Sequence, residues 1–151
     1  MRVPHRRSFL KHTLAAGAAA ALLPTTRVLG ANDDVRVAVV GLRSQGKAHL
    51  RNYLNMQGVR VVALCDVDDK YAAKKFQQYA QGKTFKDYRV MLDRMDREID
   101  AVVIGTPDHT HAVIALEAIK RGKDVYCEKP LAHSIHEIRA LIAAAQTSKV
   151  V

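Results

Sequence analysis

Val35-Arg36-Val37-Ala38-Val39-Val40-Gly41-Leu42-Arg43-Ser44-Gln45-Gly46 is the stretch that decides the fold. Residues 35–40 are rich in valine and read as a buried strand. Gly41 ends the strand. A helix follows from Gln45 to about Met56, closed by Gly58. Strand, glycine turn and helix in that order are the context of a dinucleotide-binding turn. Gly41 permits the tight bend, and Gly46 lets the helix approach the strand. The helix N-terminus offers free N–H groups and the positive end of its dipole to a pyrophosphate. Arg43 stands where that fingerprint has a second glycine, so its side chain must swing away or pair with the phosphate. Gly41, Arg43, Ser44, Gln45 and Gly46 are therefore candidate cofactor residues. By itself the turn also fits an ordinary strand–helix junction.

Downstream the same alternation continues. Strands are expected at Val59–Cys65, Thr84-Phe85, Ala101–Ile104 and Val125–Cys127. Helices are expected from Asp68 to about Tyr79, from Asp87 to about Met95 and over His109–Arg121. Ser134-Ile135-His136-Glu137 is a capping-box pattern. After it Ile135, Ile138, Leu141, Ile142 and Ala145 recur at helical spacing. Lys149-Val150-Val151 reads as the start of a sixth strand, so the sequence looks like part of a longer chain. Continuous apolar strands alternating with helices imply an α/β fold with a doubly wound parallel sheet, in the strand order 3-2-1-4-5-6.

The ends of these strands carry the chemistry. Asp66 closes the second strand, 20 residues past Gly46, where an acid can take ribose hydroxyls. An acid there repels a 2′-phosphate, which favours NAD over NADP. Thr106-Pro107 follows the fourth strand, at the switch point where a dinucleotide lies. Glu128-Lys129-Pro130 ends the fifth strand. Its carboxylate suits a ribose hydroxyl, its ammonium a reacting carbinol, and its proline fixes the turn. His109 and His111 invite a metal reading, but histidines two apart diverge on a helix and no third ligand cluster is visible; no metal is expected.

Composition bounds the alternatives. Of 151 residues, 48% are apolar and 26% charged, enough for one domain with a real core. Trp is absent and aromatics are 5%, which argues against a base-stacking platform. The net charge of +9 is misleading, because five bases and no acid fall in residues 1–30; the remainder holds 19 bases against 15 acids. That mild excess is spread along helices, so nucleic-acid binding is not expected. Residues 1–30 read as an address: Arg6-Arg7-Ser8-Phe9-Leu10-Lys11 resembles a twin-arginine export signal. The apolar run Leu14–Leu23 is too short to span a membrane, and Val28-Leu29-Gly30 suits a signal peptidase. Export to the periplasm by the twin-arginine machinery is the expectation, with a short linker at 31–34 and a dinucleotide-binding domain over 35–151. Cys65 and Cys127 end strands that have two others between them in the expected sheet. Three strand spacings make ~14 Å, beyond the ~7 Å reach of a disulfide, so both are expected to be buried free thiols.

Taken together, Gly41–Gly46, Asp66, Thr106-Pro107-Asp108-His109-Thr110-His111 and Glu128-Lys129-Pro130 resemble the glucose–fructose oxidoreductase / inositol dehydrogenase / rhizopine-catabolism (Gfo/Idh/MocA) family over about residues 34–151. The likeness is strongest in the last fifty residues. The resemblance implies a Rossmann domain followed by a second α/β domain with an open sheet, which covers the substrate and often forms the oligomer contact; none of that second domain is in this sequence. It implies NAD as cofactor, with Thr106, Pro107 and His111 at its site. Glu128 would hold the nicotinamide-side ribose, and Lys129 would face the substrate hydroxyl as the catalytic group here. Pro130 would often be cis. A further catalytic histidine would come from the second domain. Three functions follow: an exported NAD-dependent sugar or polyol dehydrogenase, a glycosidase using NAD in a transient oxidation, or a non-catalytic cofactor-binding fragment.

Overall fold

The computed structural model describes residues 34–79 and 82–151. The export signal read over 1–30 and nearly all of the linker lie outside the described residues. Five parallel strands form one sheet: β1 (Val35–Val40), β2 (Val59–Cys65), β3 (Lys83–Phe85), β4 (Ala101–Ile104) and β5 (Asp124–Cys127), in the order β3-β2-β1-β4-β5. The helices are α1 (Ser44–Leu54), α2 (Asp69–Gln78), α3 (Tyr88–Met95), α4 (His111–Lys120) and α5 (Ile135–Ser148). The chain winds outward from β1 to β3, then crosses to the other side of β1 to begin β4, so the β1/β4 boundary is the switch point of a doubly wound α/β fold.

Alternation along β1 sorts the core into two layers. Val37 and Val39 join Leu50 of α1, Ala72 of α2, Leu64 and Val103. Ala38 and Val40 face the other way, onto Met91, Leu92 and Met95 of α3 and Ala115 and Ala118 of α4. Both sheet faces are thus covered, which is why the strands read as unbroken apolar runs. Side chains cap the helices where the pattern implied. Asp68 accepts from the Tyr71 N–H at α2, and Asp87 from the Arg89 N–H at α3. Ser134 and Glu137 form the capping box of α5.

Three expectations need correction. The helix placed at His109–Arg121 is a 3-10 turn, Asp108–Thr110, followed by α4 from His111. The Thr110 hydroxyl lies 2.8 Å from both the Thr106 hydroxyl and the Pro107 carbonyl, which holds that first turn tight. No sixth strand forms at 149–151. Lys149 takes a left-handed conformation (φ 56°) at the end of α5, although the Val125 N–H donates to the Val151 carbonyl at 2.8 Å along the outer side of β5. Cys65 is buried but Cys127 only half-buried, because β5 is the last strand of the sheet. Both are free thiols, with β1 and β4 between their strands. Burial pushes the Cys65 thiol up to about 12 and the Cys127 thiol up to about 11.

Candidate functional site

At the C-terminal ends of the strands, two hollows adjoin and share Gly105 and Thr106. The first, about 510 Å³, opens between the ends of β1 and β2 and the turn after β4; Gly41, Arg43, Asp66, Asp68 and Pro107 line it. The second, about 380 Å³, lies under the N-terminus of α1; Ser44, Gln45, His111, Glu128, Lys129 and Pro130 line it. Among the sequence-predicted residues, only Gly46 lines neither.

Gly46 has another place. A Cβ on it would stand 1.8 Å from the Gly41 carbonyl oxygen. A Cβ on Gly41, whose φ is +85°, would stand 2.8 Å from the backbone of Gly105 and Thr106. A Cβ on Gly105 would meet the backbone of Gly46 at 2.8 Å. The three glycines therefore interlock, drawing the start of α1 onto the ends of β1 and β4. No side chain caps α1, and no acid lies in its first turn, so its first N–H groups and the positive end of its dipole face the hollow. Ser44 holds a left-handed φ of 41° at that bend.

Arg43 swings away, one of the two arrangements that the missing second glycine left open. Its guanidinium pairs with the Asp68 carboxylate and lies 4.4 Å from the centre of the Tyr71 ring. The hydrogen bond from the Tyr71 N–H, together with the Arg43 guanidinium, holds the Asp68 carboxyl below its ordinary range against desolvation. Asp66 is buried; one oxygen accepts from the Leu42 N–H at 2.8 Å and the other from the Asp68 N–H at 2.9 Å. Its carboxylate thus ties the glycine turn to the end of β2 and keeps a lone pair on each oxygen.

On the other side, His111 is fully buried, with Nδ1 2.8 Å from the Pro130 carbonyl oxygen and Nε2 2.8 Å from that of Thr106. It bridges the two loops that carry the second hollow, and both ring nitrogens are taken up in doing so. His109 is exposed and turned toward Asp108, so the two histidines do diverge. The Lys129–Pro130 peptide is cis, as the resemblance implied. Lys129 is exposed at the rim.

Two residues of the site escaped sequence reasoning. Gly105 was visible as the glycine ending β4, and its part in the glycine interlock needed the fold. His49 lies on α1 one turn after Gln45, and that i, i+4 spacing was the available signal. Its Nε2 is 2.5 Å from Oε1 of Glu128, both side chains being about 15% exposed. A carboxylate only accepts, so Nε2 donates. This hydrogen bond holds the Glu128 carboxyl below its ordinary range, against the opposing effect of desolvation.

The model of a family described as "Oxidoreductase family, NAD-binding Rossmann fold" matches residues 35–151, and that of the twin-arginine translocation pathway signal sequence matches residues 3–22. An inositol 2-dehydrogenase of Rubrobacter xylanophilus is 37% identical over 116 residues, covering 76% of this chain and 33% of that protein. Glycosyl hydrolase family 109 protein 2 of Shewanella sp. strain ANA-3 is 30% identical over 172 residues, covering 95% of this chain and 37% of that protein. Among solved structures, GenD2 from gentamicin A biosynthesis in complex with NAD superposes with a TM-score of 0.72 at 29% identity, over 79% of this chain and 33% of that one. The chain thus spans about a third of the length of the relatives it matches.

Proposed function

The chain belongs to this oxidoreductase family with an NAD-binding Rossmann fold, and from that premise we propose that it is the cofactor-binding part of an enzyme exported to the periplasm, which moves hydride between NAD and a sugar or polyol carbinol. The observation that carries the reading is a single hollow walled by the uncapped start of α1 and by Glu128, Lys129 and Pro130 at the end of β5. The residues fit the dinucleotide: the interlocked glycines bring the uncapped start of α1 onto the ends of β1 and β4, and Asp66 and Glu128 line the two hollows. Bound there, NAD would supply a two-electron hydride acceptor, and its reduced form a hydride donor.

The chain's own residues have separable parts in this reading. The backbone N–H groups of Ser44, Gln45 and Gly46 face the diphosphate. Asp66 accepts from the adenine-side ribose, and its charge disfavours a 2′-phosphate, so NAD is preferred over NADP. Thr106 and Pro107 line the crevice between the two hollows. His111 fixes the Thr106 and Pro130 loops. Glu128 accepts from the nicotinamide-side ribose. Lys129 presents its ammonium to the substrate hydroxyl and stabilises the alkoxide that develops there as the hydroxyl proton passes to an acid/base group beyond this stretch. The remaining acid/base group, the substrate contacts and any oligomer contact belong to the part that the relatives have beyond this stretch.

A second reading has its own support. The Shewanella glycosyl hydrolase relative matches 95% of this chain, against 76% for the Rubrobacter inositol 2-dehydrogenase. In that reading a sugar is oxidised transiently, loses its leaving group, gains water and is reduced again.

Lys129→Met in the full-length protein tests the assignment. It keeps the stem and removes the charge, so kcat should fall by ~10²–10⁴-fold while NAD affinity changes little. Near-normal kcat would remove Lys129 from the chemistry. Net NADH from a free polyol or sugar marks the dehydrogenase. Release of an aglycone without net NADH marks the glycosidase.

A further inference from the structure

We infer that His49 is a positioning residue for the cofactor: from α1 it holds the Glu128 carboxylate in the orientation that receives the nicotinamide-side ribose. The inference rests on the assignment of Glu128 proposed above and adds the residue that makes Glu128 competent.

The geometry is specific. Glu128 follows the last residue of an edge strand, with the cis peptide to Pro130 just beyond. Its backbone is tied to the sheet, the Glu128 N–H donating to the Ile104 carbonyl at 3.0 Å. Its side chain would otherwise be free to turn. Two contacts stop it. Oε1 takes the His49 Nε2 at 2.5 Å, and Oε2 takes the Lys129 N–H at 3.3 Å. Each oxygen keeps one lone pair, and two lone pairs are what a ribose diol needs. The longer bond is the weaker, so His49 supplies most of the restraint.

His49 is itself held. Its ring meets that of Tyr126 of β5 edge-on at 5.0 Å between centres, and the Tyr53 ring of α1 lies 6.3 Å away, inclined by 30°. Two aromatic neighbours fix the ring plane and so the direction of Nε2. The helix that presents its N-terminus to the second hollow therefore also sets the carboxylate across it. A side chain locked by its neighbours gives up no freedom when the ligand arrives.

Phenylalanine at this position keeps the ring packing and removes the donor. Glutamine keeps a donor and loses the ring. NAD is titrated calorimetrically into the full chain and into four variants: His49→Phe, His49→Gln, Glu128→Gln and the double His49→Phe/Glu128→Gln. Loss of a hydrogen bond to a charged group should weaken NAD about tenfold or more in His49→Phe, and His49→Gln should recover most of that. The double variant should bind no more weakly than Glu128→Gln alone, since the two side chains act as one unit. Unchanged affinity in His49→Phe, with Glu128→Gln weakened, would overturn the inference and leave Glu128 in place. A full additional loss in the double variant would also overturn it, because His49 would then act through something other than Glu128. Wild-type affinity in Glu128→Gln would remove the ribose assignment, and the inference with it.

Discussion

Asp66 has two tasks, and a substitution can separate them. Its oxygens accept the N–H groups of Leu42 and Asp68 at 2.8 and 2.9 Å, and in the proposed site they also meet a ribose. Asp66→Asn keeps one of the two acceptor oxygens, sets an amide NH2 against the other N–H group and removes the charge. Stability should fall by about 1–3 kcal/mol, and independently of that the affinity for NADP should rise relative to NAD by about tenfold, the equivalent of one charge-assisted hydrogen bond. Titration of both cofactors checks this; an unchanged ratio would show that Asp66 serves the turn alone. Asp66 was legible in the sequence because an acid at the end of the second strand has a fixed spacing from the glycine turn. The destination of Arg43 was not. Sequence allowed it to turn away or to pair with phosphate, and only the position of Asp68 and Tyr71 on the next helix decides between them. For His49 the spacing from Gln45 gave its helix face, but not its partner, which is 79 residues distant.

At the scale of elements, the start of α1 is the most constrained point. Gly46→Ala would place a methyl group 1.8 Å from the Gly41 carbonyl. The helix must then lift from β1, costing about 1–3 kcal/mol of stability and abolishing measurable NAD binding. Gly58→Ala is the control. Gly58 has a φ of +74° and open space around it, so alanine there should cost about 1–2 kcal/mol in backbone strain and leave NAD affinity intact. Chemical denaturation with NAD titration on both variants distinguishes a general loss of stability from a loss of the turn. The strands and most helix starts were legible, because apolar runs, caps and glycines are local signals. The face of α5 was not. Ile135 and Ile142 share the helical periodicity of Leu141, yet only Leu141 is buried; Ile135 is 70% exposed and Ile142 51%. Periodicity marks an apolar face without saying how much of it the described residues cover.

For the whole molecule, the expected sheet order came with the dinucleotide turn, whose doubly wound fold has the order 3-2-1-4-5-6. Right-handed crossovers alone also allow other orders of five parallel strands. The order β3-β2-β1-β4-β5 puts the two quoted motifs, Gly41–Gly46 and Glu128-Lys129-Pro130, at one end of the sheet on either side of β4. Sequence showed that both motifs end strands. Their meeting around one hollow depends on the reversal of winding at β1 and β4. Ion pairs stand at both ends of the sheet: Arg36 holds Asp100 at 2.6 Å and Lys123 meets Asp96 at 3.2 Å at one, and Arg43 pairs with Asp68 and His49 with Glu128 at the other. The end with the glycine turn is the binding end of the proposed function.

In the proposed function NAD lies across both hollows of the binding end. Titration of NAD into the uniformly ¹⁵N-labelled chain, followed by amide chemical shifts, checks this. Saturable shifts are expected at Gly41–Gly46, at Asp66 and Asp68, at Thr106, and at Glu128 and Lys129. The amides around Val59, Arg60, Tyr79 and Gly82, which line a separate hollow of about 390 Å³, should stay still. Shifts confined to that separate hollow, or none at millimolar NAD in the folded chain, would contradict it.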